Sequence, residues 1–257
     1  MLRRRKSFNF GLIVGILLFA GFSSIGLRFP SPTSAIGKIN FILGREGEVT
    51  IHRANDATWI SAKLKMPVAQ GDQIKTAAES RCEVKLNDGS IIRIGENSLF
   101  DFEHANLSKG AKQIDASLKR GRFWANVIKL LGGQDKFEVK SPTAVCAIRG
   151  TIYRMEVDST TRVAVYDGEV DIGPSPALQQ QLQQQPRVPG PPVRIPGPTE
   201  IPGPYQITLE QWTRLVQGYQ LEIRADGRYA KSQIDTTAEA PLDWIRWNKE
   251  RDRLLGQ

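Results

Sequence analysis

Apolar and polar residues alternate through most of the chain between residues 36 and 173. Val49 and Ile51 have polar neighbours on either side, and so do Phe137 and Val139. A period of two is typical of a strand with one buried face. About twelve such stretches follow one another at a spacing of roughly ten residues. The pattern predicts an all-β main domain over residues 36–173, with a sandwich, β-roll or solenoid-like architecture.

A charged joint interrupts this pattern after the continuous apolar run Ala144–Ile148. It consists of Arg149, Gly150 and Thr151. A permissive glycine beside a charge is suited either to contacting an anion or a partner, or to fixing a strand crossing through hydrogen bonds to carbonyls. Both interpretations stay open, and these three residues are the candidate partner-binding site.

Composition changes abruptly in residues 174–204. Ten of the fifteen prolines fall there, together with six glutamines in 179–185. Such a segment has few backbone donors and little to bury. We expect a Pro/Gln-rich linker, semi-extended and serving as a spacer, with a Pro-rich docking ligand as the alternative.

Residues 205–257 predict a small α+β module with Trp-containing helices. Thr208 and Gln211 have the spacing of a capping box. The helix predicted to follow them has one apolar face, formed by Leu209, Trp212, Leu215 and Val216.

Two further elements are expected in this module. The residues around Asp226-Gly227 predict a hairpin, because both central turn positions favour positive φ. After Pro241 the spacing of Trp244 and Trp247 predicts a helix, with the two indoles as packing anchors rather than carbohydrate or membrane contacts.

The N-terminus has the pattern of an export signal. Four basic residues at 3–6 precede an apolar stretch from 8 to 27. Residues 1–35 are therefore predicted to be either a signal peptide, cleaved after Ala35, or an uncleaved inner-membrane anchor. In both cases we expect the remainder to be exported, to the periplasm or the cell envelope.

Charge argues against nucleic acid as a partner. The whole chain carries a net charge of +8, and residues 1–35 hold five basic residues and no acidic one, which leaves +3 for the rest. So small a surplus does not support nucleic-acid binding. We expect an envelope protein or a cell-wall polymer as the partner.

The two cysteines, Cys82 and Cys146, both fall at inward-facing positions. In an exported protein they can pair, whereas two separate buried thiols behave as small hydrophobes. A disulfide stays open as a candidate, because pairing depends on a Cα separation that sequence does not specify.

The sequence offers few candidate catalytic or metal-binding residues. His52 and His104 have no cysteine or carboxylate at metal-ligand spacing. Asp101 and Glu103 share a strand face and could be imagined as a glycosidase pair, but exposed alternating carboxylates are ordinary strand content. We expect no enzymatic activity, no metal and no cofactor.

An ordered set of motifs between residues 44 and 172 resembles the FecR domain. They include the Trp59 region and these segments: Gly47-Glu48-Val49, Gly71-Asp72-Gln73-Ile74-Lys75-Thr76, Ser80-Arg81-Cys82-Glu83-Val84-Lys85-Leu86-Asn87-Asp88-Gly89-Ser90, Gly121-Arg122-Phe123-Trp124, Phe137-Glu138-Val139, Pro142-Thr143-Ala144-Val145 through Arg149-Gly150-Thr151, and Val163-Ala164-Val165-Tyr166-Asp167-Gly168-Glu169-Val170. The tail with Trp244, Trp247-Asn248 and Arg251-Asp252 also looks like that of a subgroup of FecR-domain proteins.

The resemblance implies a non-catalytic, all-β extracytoplasmic domain. In iron-uptake regulators such a domain senses an outer-membrane transporter and passes a signal to a sigma factor. Those regulators carry a cytoplasmic domain before the membrane segment, whereas about seven residues precede the apolar stretch here. We therefore expect a stand-alone binding or scaffolding protein of the bacterial envelope, with a membrane-anchored signalling component as the alternative.

Overall fold

The computed structural model describes residues 34–54, 56–107, 112–129, 135–184, 207–208 and 211–256. The predicted signal or anchor stretch at 8–27 lies outside them. In the described part, no helix is both long and apolar enough to cross a membrane.

Eighteen strands and three helices occupy the described residues. In chain order they are β1 (Ala35–Leu43), β2 (Val49–His52), β3 (Trp59–Ser61), β4 (Pro67–Ala69), β5 (Gln73–Thr76), β6 (Arg81–Leu86), β7 (Ile91–Ile94), β8 (Leu99–Asn106), β9 (Gln113–Asn126), β10 (Lys136–Lys140), β11 (Ala144–Ile148), β12 (Ile152–Val157), β13 (Thr160–Asp167), β14 (Glu169–Pro174), α1 (Pro176–Gln184), β15 (Ile207–Thr208), β16 (Thr213–Val216), β17 (Tyr219–Arg224), β18 (Arg228–Gln233), α2 (Thr236–Glu239) and α3 (Asp243–Leu254). The predicted all-β main domain with a small α+β C-terminal region is confirmed.

The strands form two layers joined by one long strand. Sheet A runs in the order β4-β1-β6-β7-β9-β12-β13-β17-β18-β15. Sheet B runs in the order β3-β2-β5-β8-β9-β10-β11-β14-β16. Neighbours are antiparallel except for β9 and β10, which are parallel.

Strand β9 changes sheets at Gly121. Ile114 and Leu118 point into the core from its first half, whereas Phe123 does so from its second half, so the inward parity changes between them. Gly121 has φ +97°, and a Cβ there would lie 2.1 Å from the Ser98 hydroxyl oxygen. Only glycine fits this corner without moving the neighbouring turn.

The core lies between the two sheets and is centred on aromatic rings. Phe100 stacks on Phe123 at a centroid distance of 5.0 Å and meets Phe102 edge-on at 5.0 Å. Tyr153 meets Phe123 edge-on at 5.5 Å. All four side chains are fully buried. Cys82 and Cys146, which lie on β6 in sheet A and on β11 in sheet B, are also buried, and both are free thiols.

The C-terminal strands complete both sheets. Strand β17 pairs with β13 in sheet A, and β16 pairs with β14 in sheet B. Residues 33–257 accordingly form one compact unit. The hairpin around Asp226-Gly227 and the helix after Pro241 are confirmed as β17–β18 and α3.

The helix predicted after Thr208 is wrong for its described part. Residues Thr213–Val216 form a strand, and Leu215 is buried while Arg214 and Val216 are exposed. The edge of β14 offers backbone partners to this segment, and that pairing overrides a weak helical pattern.

The first part of the predicted extended linker is a helix, α1. The Ser175 hydroxyl accepts a hydrogen bond from the Leu178 amide at 3.1 Å, and Leu178 is buried. Residues 185–206 lie outside the described part, but their flanks meet. A Cβ on Gly227 would lie 3.4 Å from the Leu182 methyl groups, and the adjacent Arg228 pairs with Thr208. Leu182 and Thr208 thus both lie near β18, and the spacer role of residues 185–206 stays a prediction.

Candidate functional site

A row of four side chains crosses the outer face of sheet A under the C-terminal helices. Glu83, Arg93, Trp124 and Arg154 lie on β6, β7, β9 and β12, each directly opposite the next. Alternation along the strands turns these residues away from the core. All four are nevertheless buried, because α2 and α3 cover them. We call this set the buried row.

Helix α3 is bound to the buried row by a compact ion network. Arg93 Nε donates to Glu83 Oε2 at 2.7 Å, and Arg93 Nη1 donates to Asp252 Oδ1 at 2.7 Å. Arg251 Nη2 donates to Glu83 Oε1 at 2.7 Å, and Trp124 Nε1 donates to Asp252 Oδ2 at 2.9 Å. Two guanidinium groups thus face two carboxylates, so the buried charges balance.

The network determines the charge state of Glu83. Burial alone would raise its pKa, but hydrogen bonds from Arg251, Arg93 and Asn40 outweigh burial and hold the pKa below its usual value. Glu83 is therefore ionised at neutral pH. Directional ion pairs of this kind specify where α3 docks on the sheet more than they add stability.

Helix α2 is held at the other end of the row. Glu239 Oε1 accepts hydrogen bonds from Arg154 Nη2 and from the Tyr166 hydroxyl, both at 2.9 Å. Burial raises the pKa of Tyr166, which keeps the phenol protonated as a donor. Tyr166 also stacks on Trp124 at a centroid distance of 4.6 Å.

The predicted packing role of the two C-terminal tryptophans is confirmed. Trp244 is buried and Trp247 half-buried, and their rings stack at 5.6 Å. The guanidinium of Arg81 lies over both rings, at 5.6 Å and 5.1 Å from their centroids. Arg81 is also paired with Asp243 at the start of α3.

An open groove runs beside α3, next to the buried row. It consists of two adjoining pockets of about 510 and 370 Å³ that share Glu96, Arg122 and Glu156. Its remaining described lining residues are Leu43, Glu79, Arg81, Asn97, Arg120, Gly121, Arg154, Val157, Asp158, Arg162, Leu242, Asp243, Trp244 and Ile245. We call this feature the groove.

Ion pairs form part of the floor of the groove. Arg122 pairs with Glu96 at 2.9 Å, and Arg162 pairs with Glu156 at 3.3 Å. Behind Arg122, Gly95 allows close packing, because a Cβ there would lie 2.9 Å from the Arg122 Cβ and 3.4 Å from the Trp244 ring. Both ion pairs are partly exposed, so a polar group of a ligand can replace one partner at a small cost in free energy.

Two residues on the groove rim have left-handed backbone conformations. Glu79 has φ +56° and Asn97 has φ +54°. Asparagine tolerates this region, whereas for glutamate it costs about 1 kcal/mol or more. Strain of this kind concentrates at functional sites, which makes Glu79 a candidate contact residue.

The charged joint predicted from the sequence, residues 149–151, is not part of the groove lining. Gly150 has φ +71°, and a Cβ there would lie 2.6 Å from the Lys129 Cα. The Thr151 hydroxyl donates to the Glu169 carbonyl at 2.8 Å, and its backbone bonds to Val127 in both directions. These two residues fix a strand crossing. Arg149 is exposed, and its role in partner binding stays a prediction.

The carboxylates considered for glycosidase chemistry are paired with their neighbours. Lys140 Nζ donates to Glu103 at 2.9 Å, and Gln73 Nε2 donates to Asp101 at 2.9 Å. Burial would raise the pKa of Glu103, but the Lys140 hydrogen bond and neighbouring positive charges lower it. A general acid needs the opposite shift. Among the described residues, no group of three or more His, Cys, Asp or Glu could hold a metal ion.

The sequence pattern placed Glu83 on the outer face of its strand but did not reveal the helix above it. The sequence pattern did not indicate a role for Arg93, which lies between Ile92 and Ile94, or for Glu239. The one pointer was the resemblance of the tail, because its residues Asp252 and Arg251 are among those that contact the buried row.

Residues 72–171 match the family model described as FecR protein. The resemblance predicted from the motifs is therefore confirmed, and residues 72–171 form a FecR domain. That segment runs from β5 to β14 and contains the buried row, whereas α3 lies beyond it.

The solved structures similar to this chain include two crystal structures of a proposed anti-sigma factor from Parabacteroides distasonis. One has 16% identity and a TM-score of 0.45, with 67% of this chain and 64% of that chain covered. The other has 15% identity and a TM-score of 0.45, with coverage of 65% and 63%. This chain thus spans less than two thirds of their length. The comparison with curated proteins found no match.

Proposed function

We propose that this protein is a non-enzymatic FecR-domain protein of the bacterial envelope that binds a partner protein and takes part in signalling. The groove is the observation that carries this proposal. It lies where the FecR domain meets the C-terminal helices, so an occupant contacts both. Binding there can be passed to α3, because Asp243 and Trp244 line the groove and belong to that helix.

A protein segment suits the groove better than a small molecule. One end is apolar, with Leu43 43% and Leu242 47% exposed. The floor beyond it offers partly exposed charges of both signs, such as Arg122 and Glu156. An extended peptide can place an apolar side chain at the apolar end and polar side chains against the charged floor. Peptide-binding grooves commonly combine these two kinds of contact.

Site-specific crosslinking tests this function. A photoreactive residue replaces Leu242 in the full-length protein in cells, and a second version carries it at Lys231, an exposed residue on β18 away from the groove lining. We expect one envelope protein to crosslink at position 242 and not at 231. Arg122→Glu should abolish that product. Equal labelling at both positions, or a product unaffected by Arg122→Glu, would contradict the proposal.

Anchorage in the membrane is the second candidate property. The apolar stretch at 8–27 with its basic flank supports either an anchor or a cleaved signal. Sequencing the N-terminus of the mature protein separates them. A start at Ile36 would rule out the membrane-anchored signalling component, and an intact N-terminus would rule out the released periplasmic form.

A further inference from the structure

The indole of Trp212 lies flat on the outer face of sheet B. A Cβ on Gly173 would lie 2.7 Å from the Trp212 Cδ2 and Cε2 atoms, so the absence of a side chain at 173 makes room for the ring. Gly173 pairs with Val145 on β11, which faces the same way. Trp212 remains 56% exposed. One ring face thus rests on the strand and the other faces solvent.

A second indole occupies the opposite edge of the same face. Trp59 lies on the edge strand β3, opposite His52 on β2, and is 40% exposed. Its ring is held by His52 at a centroid distance of 5.2 Å and by the Lys75 ammonium at 5.9 Å. Like Trp212, it is an exposed ring in a defined orientation rather than a freely rotating side chain.

A single cross-strand row connects the two tryptophans. From Trp59 it passes through His52, Gln73, Asp101, Ser117, Lys140, Val145 and Gly173, each opposite the next. From Trp59 to Gly173 the row crosses seven strand spacings of about 4.8 Å each, or ~34 Å before sheet twist shortens it. An occupant that touches both rings must therefore be a long chain.

The surface between the rings is polar and almost neutral. The described strands of this face carry five basic and six acidic side chains, which are Lys75, Lys119, Lys136, Lys140 and Arg214, with Asp101, Glu103, Asp115, Glu138, Glu169 and Asp171. Several are paired directly, such as Lys140 with Glu103 at 2.9 Å and Arg214 with Asp171 at 2.9 Å.

We propose that this face of sheet B binds an uncharged, hydroxyl-rich polysaccharide, with Trp212 and Trp59 as stacking platforms. The C–H face of a sugar ring is apolar and packs on an exposed indole. Its hydroxyl groups can donate to carboxylates and accept from ammonium and guanidinium groups, as between Glu103 and Lys140. The face offers both kinds of contact, with an indole near each end and polar groups between them.

Other occupants fit this face less well. An anionic polymer or nucleic acid requires a basic surplus, and here acidic side chains are slightly in excess. A protein partner usually buries a central cluster of aromatic or apolar anchors. The two indoles instead stand at opposite ends, with charges between them. The proposal is independent of the groove, which lies on sheet A.

Calorimetric titration of the full-length exported protein tests the proposal. The probes are laminarin, hydroxyethylcellulose, dextran and chitohexaose as uncharged ligands, and alginate as a charged one. We expect binding to at least one uncharged probe. Trp212→Ala should weaken it at least tenfold, Trp59→Ala should weaken it independently, and Gly173→Ala should weaken it by displacing the Trp212 ring.

Two matched variants serve as controls. Trp212→Phe keeps a flat ring and should retain most of the affinity, whereas Leu254→Ala changes an exposed residue of α3 and should have no effect. Absence of heat with all four uncharged probes would overturn the proposal, as would binding unaffected by either Trp212→Ala or Trp59→Ala. Preference for alginate would also overturn it. Crosslinking at position 242 should be unchanged in Trp212→Ala, which separates this surface from the groove.

Discussion

The indole nitrogen of Trp124 lies 2.9 Å from a carboxylate oxygen of Asp252, 128 residues further along the chain. Trp124 belongs to the strand shared by both sheets, and Asp252 to the last helix. This hydrogen bond joins the FecR domain to the tail that follows it. Because Asp252 also accepts from Arg93, one carboxylate holds two members of the buried row.

Removing that carboxylate should release α3. In Asp252→Ala, Arg93 loses one of its buried partners and Trp124 keeps an unsatisfied donor, so we expect the free energy of unfolding to fall by ~3–5 kcal/mol. Asp252→Asn should lose less, because it keeps an acceptor for the indole. Urea denaturation followed by near-UV circular dichroism measures both.

Glu250→Ala is the matched control on the same helix. Glu250 is exposed and pairs only locally with Arg253, so we expect no measurable change in stability. An equal loss in Asp252→Ala and Glu250→Ala would show that the ion network does not hold the helix.

Docking of α3 should weaken in acid. Although burial alone raises the pKa of Glu83, hydrogen bonds from Arg251, Arg93 and Asn40 lower it in the folded state below the usual 4.5. The stabilisation is therefore complete above pH 4.5 and is lost as the pH falls through the lower, folded-state pKa.

The comparison with Glu83→Gln isolates this contribution. The variant should be less stable than the wild type at pH 7, and the difference should shrink between pH 4.5 and pH 3 in urea titrations. A difference that stays constant over this range would mean that Glu83 does not titrate as its contacts imply.

Relief of backbone strain at the groove should stabilise the protein at the expense of binding. Glu79→Gly removes a glutamate from the left-handed region. We expect the free energy of unfolding to rise by roughly 0.5–1 kcal/mol, after subtraction of the entropy that glycine adds to the unfolded chain. Crosslinking at position 242 should decrease. Lys65 also has positive φ, +66°, but does not line the groove. Lys65→Gly should therefore stabilise without affecting crosslinking.

The two thiols should be inert in the folded protein. Burial, with a smaller effect from Glu83, raises the pKa of Cys82 to about 12, and burial raises the pKa of Cys146 further. Iodoacetamide at pH 8 should modify neither, because almost no thiolate is present. After unfolding without reductant, mass spectrometry should find both alkylated. Failure of alkylation until reductant is added would instead indicate a disulfide.

The alternation of residues was enough to predict the β domain. Inward positions such as Val84, Phe100 and Val139 are buried as their parity indicates, because a strand places successive side chains on opposite faces. The FecR resemblance was also readable from the ordered motifs and was confirmed over residues 72–171. Both are properties of local sequence order.

Long-range pairing decided the rest. The same parity that turned Glu83 outward could not show that α3 would cover it, because that contact joins residues 168 positions apart. The sequence pattern predicted Trp212 on a helix. Its neighbours instead pair with the edge of β14 as a strand, and the indole packs on Gly173. By itself the sequence determined which residues alternate and which motifs they form. Only the tertiary structure decided which outward faces are covered and which stay open, since backbone edges and buried charges find their partners only when distant segments meet.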